Sequence, residues 1–112
     1  MYIAPDGSWS MASGVWDVDQ RTTVHSHETW GVVGIYAGVE HEFRYLTPTA
    51  TTAGMPLTQT GETRWHSGQV TVCCTTVGIH VYGGDIATIR RWSYDVATGE
   101  ATPFVSGWDT PA

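Results

Sequence analysis

Apolar and polar residues alternate in short bursts along this chain, and glycine, proline or a polar pair cuts off each burst before it reaches helical length. Trp9 to Val18 alternates loosely, with Trp9, Met11 and Ser13 on one parity and Gly14, Trp16 and Val18 on the other. Thr22 to His27 is β-rich and leads into Trp30-Gly-Val-Val-Gly-Ile-Tyr36, where the glycines disfavour a helix and suit close backbone approach. Val39 to Leu46 has period two: Val39, His41, Phe43 and Tyr45 face one way, Glu40, Glu42 and Arg44 the other. Residues 47–63 are rich in Thr, Pro and Gly and read as a connecting loop with one short edge strand. Strand signals resume at Thr63–His66, Gln69–Thr76, Gly78–Tyr82, Ile86–Tyr94 and Ala101–Val105, with turns at Ser67-Gly68, Gly83-Gly84-Asp85 and Ala97-Thr-Gly-Glu100. About eight short strands with turns at regular spacing predict an all-β sandwich or barrel. No internal repeat or linker divides the 112 residues, so the expectation is a single domain over residues 1–112.

Composition sharpens this picture. Charged residues make up 14% of the chain against about a quarter in an ordinary globular domain, while there are 13 Gly and 6 Trp. The net charge is −6 and all 5 cations are Arg, the only basic pair being Arg90-Arg91. A nucleic-acid binder needs a clustered basic face, so no nucleic-acid partner is expected, and no anionic membrane surface either. No apolar run approaches the roughly 20 residues that cross a bilayer. Met1-Tyr-Ile-Ala-Pro-Asp6 lacks the basic and apolar regions of a signal peptide, which makes the cytoplasm the expected compartment. The adjacent Cys73 and Cys74 point to opposite faces of a strand, where a bond between them would be strained, so two reduced thiols are expected. Without CxxC spacing, zinc ribbons and thioredoxin-like chemistry drop out.

His25-Ser26-His27 is the sharpest chemical feature. Residues i and i+2 of a strand share a face, so both imidazoles point into one space, as two ligands of one metal require. Imidazole suits iron, zinc, copper and nickel alike. Glu28 directly follows His27 and projects to the opposite face.

A His-x-His strand running into the Gly-punctuated stretch from Thr29 to Gly38 resembles the first motif of the cupins, small double-stranded β-helix barrels of jelly-roll type. Most cupins carry a Glu ligand four or five residues after the second His, where this chain has Gly31 and Val32. The cupin branch without that Glu is the thiol dioxygenases, and the chain is similar to its bacterial cysteine and 3-mercaptopropionate dioxygenases over nearly its whole length. The carrying residues are His25-Ser-His27, Thr29-Trp-Gly-Val-Val-Gly34, Gly78-Ile-His-Val-Tyr-Gly-Gly-Asp85 and Val105-Ser-Gly-Trp-Asp109. The resemblance implies that His25 and His27 are two of three ligands of a mononuclear non-haem iron(II), Fe(2+). It implies that His80 and Tyr82 act beside the metal, the Tyr hydroxyl near substrate and the His orienting it. A Ser two residues before that His usually completes the relay, but Gly78 stands there. The implied partners are a small-molecule thiol, cysteine or a mercapto-carboxylate, and O2. The implied product is a sulfinate.

The chain departs from the family in two places. The family's third ligand lies in a strand between the segments matching Val70–Thr76 and Gly78–Tyr82, and here those segments are almost fused. The expected barrel is therefore one strand short, and His80 or His66 are the substitutes for the missing ligand. His80 misses the cupin position by one residue, a slip that flips a strand side chain to the other face. His66, before a turn, and His41, among acidic neighbours, are expected at the surface. The family's N-terminal helical region is also lacking, and none of Arg21, Arg44, Arg64, Arg90 or Arg91 stands out as a partner for a substrate carboxylate. Three readings stay open: an iron thiol dioxygenase; a catalytically degenerate cupin that binds metal or a small ligand weakly or is a structural fragment; and a zinc or nickel cupin with isomerase-type chemistry. Trp30, Val32, Ile35 and Tyr36 are expected to wall the site from water. Trp9, Trp92 and Trp108 serve either core packing or an interface, leaving monomer and homodimer both open.

Overall fold

The computed structural model of the protein describes residues 1–72 and 78–107. Cys73 and Cys74, the shortened junction before Gly78, and the Trp108-Asp109 end of the last motif lie outside the described residues.

Ten strands run through the described residues, and no helix does. They are β1 (Tyr2–Ile3), β2 (Trp9–Ser13), β3 (Val24–His25), β4 (Gly31–Ile35), β5 (Val39–Tyr45), β6 (Gln59–His66), β7 (Val70–Val72), β8 (Gly78–Gly83), β9 (Arg91–Tyr94) and β10 (Ala101–Phe104). A five-stranded sheet has the order β1-β2-β8-β4-β7, a three-stranded sheet the order β10-β9-β3, and β5 and β6 form a ribbon. All of these pairings are antiparallel. The protein is thus all-β, consistent with a sandwich or barrel, as the short alternating bursts predict. Among the described residues no helix is long and apolar enough to cross a membrane.

Register decides what enters the interior. Partners across a sheet share a face, so Ser10, Tyr82 and Gly31 line up on one row, and Ala12, His80, Val33 and Thr71 on the next. Ser10, Val33, Thr71, His80 and Tyr82 are all buried, which makes this the inner face. Gly31 is required where it stands: a Cβ there would lie 2.9 Å from Cδ1 of Tyr82, whose ring crosses the bare backbone.

The ribbon shows the predicted alternation, with the acidic parity turned inward: Glu40 and Glu42 are buried while Val39 and Phe43 are exposed. Glu42 is 0% exposed because partners converge on it. It accepts hydrogen bonds from Arg44 Nε, from Trp65 Nε1 at 2.7 Å and from Thr71 Oγ1 at 3.3 Å. The Thr71 bond ties the ribbon to the five-stranded sheet.

Several boundaries differ from expectation. The alternation from Trp9 stops pairing at Ser13, leaving Val15 and Val18 exposed. The strand expected over 86–94 starts only at Arg91. Ile86 and Ala87 are buried in a turn, where Asp85 accepts from Ala87 N through Oδ1 and from Thr88 N through its carbonyl. Their apolar character reflects a turn folded under the sheet, with Ile86 N donating to Ser10 Oγ at 3.2 Å. β6 begins at Gln59, four residues early, and keeps register with β5 through an irregularity between Arg44 and Tyr45.

The expected wall is corrected too. Trp30 is 55% exposed and Tyr36 81%, and Val32 also faces out; of the four residues only Ile35 is buried. β4 alternates inward at Gly31, Val33 and Ile35, so an uninterrupted apolar run was hiding an ordinary period-two strand.

Candidate metal centre

The His-x-His pair sits at the edge of the three-stranded sheet. β3 covers only Val24 and His25, which pair with Tyr94 and Ser93. Ser26 continues the attachment by a different route: its N–H donates to the Trp92 carbonyl at 2.9 Å and its Oγ accepts from Trp92 N at 3.1 Å. His27 therefore lies past the regular strand, and Glu28 turns the chain with a left-handed φ of 56°. The two imidazoles nevertheless meet, their centroids 5.0 Å apart and their planes at 80°. Glu28 is exposed.

His25 Nδ1 lies 2.7 Å from the Thr23 carbonyl oxygen. A carbonyl only accepts, so Nδ1 carries the proton and Nε2 keeps the lone pair, the arrangement that orients a metal-binding imidazole. Burial pushes the His25 pKa down, opposed by that backbone bond. His27, 9% exposed, is pushed down to about 4, first by burial and then by the nearby charges of His25, Arg91 and His80. Both rings are held in the neutral form, which is the form that ligates.

β8 supplies the second half of the site from the inner face of the other sheet. His80 and Tyr82 are 8% and 7% exposed, and His80 Nδ1 and the Tyr82 hydroxyl share a 2.7 Å hydrogen bond. The Tyr82 ring lies 5.1 Å from that of His27. Segments 25–27 and 80–82, distant in the chain, thus bring all four sequence-nominated residues together. His66 is exposed at the end of the ribbon, and His41 is exposed and paired with Glu62, so neither joins the cluster. Among the described residues no group of three or more His, Cys, Asp or Glu side chains is placed to share an ion.

One residue of the site could not be singled out from sequence. Arg91 is 6% exposed on the same face of β9 as Ser93, the register partner of His25. Its guanidinium lies 4.6 Å from the Phe104 ring centroid and donates to Ser106 Oγ at 2.6 Å. Arg91 Nε is buried with no hydrogen-bond partner among the described residues. The charge of Arg91 is felt by His25, His27 and Tyr82. A signal existed only in parity: Arg90 and Arg91 are adjacent, so a strand there must send one of them inward.

The donor set suits a divalent metal in part. Two neutral imidazoles face one another, one with a fixed tautomer, and a buried cation beside them provides for an anion. No known protein-family model matches the chain.

Proposed function

We propose that this protein is a cupin-type thiol dioxygenase, a non-haem iron(II) enzyme that converts a small thiol and O2 into a sulfinate, RSH + O2 → RSO2H. The observation that carries this reading is the meeting of half-buried His25 and buried His27 with the buried, hydrogen-bonded pair His80–Tyr82. The antiparallel all-β architecture and the resemblance of the motifs around His25, Trp30 and His80 support the double-stranded β-helix assignment.

His25 and His27 would hold the iron, which when bound supplies one centre for thiolate and dioxygen together. Neutral imidazole ligands leave the metal its full charge, which favours an anionic sulfur. The chain's own residues do the rest. The Tyr82 ring lies against that of His27, and the bond to His80 Nδ1 orients its hydroxyl. Arg91 presents an unpartnered buried N–H and a positive charge, suited to a carboxylate on the thiol. This favours a mercapto-carboxylate or an amino acid thiol over a neutral thiol. Val33, the register partner of His80, is fully buried and gives the pair an apolar neighbour.

The test is anaerobic loading with iron(II), followed by oxygen uptake and mass analysis of product with cysteine and with 3-mercaptopropionate. One iron per chain and one O2 consumed per sulfinate formed are expected. No iron above background and no uptake would defeat the proposal. A second reading, a degenerate cupin that binds metal weakly, is favoured by one observation: among the described residues no third ligating side chain joins the two histidines. Iron retention without turnover would select it.

A further inference from the structure

β9 has two working faces. Arg91 and Ser93 look toward the histidines, while Trp92 and Tyr94 look the other way, in register with Pro103 and Ala101 of β10. On that far face lies a cavity of about 680 Å³ between the two aromatic rings and the loop from Pro48 to Gly54. Its size falls within the range of small-molecule sites.

The loop wall is fastened in place. Thr49 and Thr52 close a turn through Thr52 N to Thr49 O at 3.1 Å and Thr49 N to Thr52 Oγ1 at 2.8 Å. Leu57 N donates to the Val96 carbonyl at 2.9 Å. Gly99, at φ +70°, packs its backbone against the Met55 carbonyl, where any Cβ would collide. These contacts pin the loop to the β9–β10 turn, so the groove is formed before anything enters it.

The chemistry of the lining selects an occupant. Thr49 Oγ1 is engaged with Thr51 and Thr52, and Thr98 Oγ1 accepts from Glu100 N. No Lys or Arg lines the groove and Glu100 does, so an anion is disfavoured. The Tyr94 pKa is raised by burial and by the negative charge of Glu28, which lies outside the lining. The Arg90 guanidinium rests 5.3 Å from the Trp92 ring centroid without lining the cavity, so a cation entering the groove shares this indole with Arg90 and depends on Tyr94 and Glu100 for the rest of its contacts. We infer that the groove is a second ligand site, separate from the histidine cluster, that takes a small methylated ammonium cation against Trp92 and Tyr94 with Glu100 as counter-charge. Two aromatic faces and a partly exposed carboxylate support a dissociation constant on the order of 1 mM.

The test compares choline with its neutral isostere 3,3-dimethylbutan-1-ol, following the indole N–H resonances of the whole protein by NMR. Choline is expected to shift the Trp92 indole saturably, and the isostere to bind about 10-fold more weakly, the mark of a charge-dependent site. Glu100→Gln should weaken choline about 3-fold or more and leave the isostere unchanged, as loss of an exposed charge partner would. Trp92→Leu should abolish choline binding, while Trp92→Phe, which keeps an aromatic face, should retain part of it, both read from the backbone amide shifts of Thr98, Gly99 and Glu100; preserved amide dispersion shows that each variant is folded. Equal binding of choline and isostere, no response to choline at about 50 mM, well above that constant, or an unchanged affinity in Glu100→Gln would each overturn the inference.

Discussion

Val33 separates two polar compartments: its register partner on β7 is Thr71, bonded to Glu42, and its partner on β8 is His80, bonded to Tyr82. On the first side, the carboxylate of Glu42 is surrounded by donors from Arg44, Trp65 and Thr71. Beside it Glu40 is also buried, though less completely, and both its oxygens lack a partner among the described residues. On the second side, the three imidazoles of His25, His27 and His80 and the Tyr82 hydroxyl converge within the field of the Arg91 charge. Burial acts on the two sides in opposite senses, pushing the Glu40 pKa up to about 8, with Glu42 adding to it, and the His27 pKa down to about 4. Either way the neutral form wins. A neutral carboxyl is inert toward a metal, whereas a neutral imidazole can ligate one, so the same physics leaves only the second compartment with donors suited to the proposed metal.

The largest expected effect sits on the reactive side. His27→Ala should weaken iron(II) binding at least ~100-fold in a chelator competition, whereas Glu40→Gln leaves it unchanged. Equal losses from both would erase the distinction. Next comes Glu42→Ala, which strands three donors around a vanished carboxylate. A loss of about 3 kcal/mol in urea unfolding is expected, with little change in iron affinity.

Gly31→Ala probes the contact that shapes Tyr82. A methyl 2.9 Å from the ring must displace it, at a cost of about 1–3 kcal/mol. Because Tyr82 carries the bond to His80, turnover should fall by more than the stability loss explains, and kcat should fall more than KM rises. The smallest effect belongs to Glu40. Its folded pKa lies above the unfolded value, so the native state holds a proton that the unfolded chain releases between about pH 4.5 and 8. Its contribution is fully present below pH 4.5 and is lost as pH rises through 8. Glu40→Gln should flatten that slope and, at pH 9, exceed the parent protein by about 1–2 kcal/mol, allowing for water relaxing around the carboxylate. A parent protein whose stability rises from pH 5 to 8 would contradict this assignment.

The alternation of β5 was readable from Val39 to Tyr45, but its polarity was not. Which parity faces inward depended on Trp65 and Thr71, supplied by strands far along the chain. The same limit hid Arg91, whose burial depends on Phe104 and Ser106. The histidine pair was legible because its spacing is local, and His80 with Tyr82 because the motif around them is distinctive. The extent of the strand at His25 was not legible, since a Ser side chain takes over from the backbone there.

That serine changes how the motif should be understood. The x of His-x-His is ordinarily a blank, a spacer that any residue can fill. Here its hydroxyl closes a small ring with the Trp92 amide, clasping the departing chain to its neighbour and setting the angle at which the second imidazole swings round. Replacing Ser26 with alanine would leave both histidines in the sequence and loosen the clasp between them.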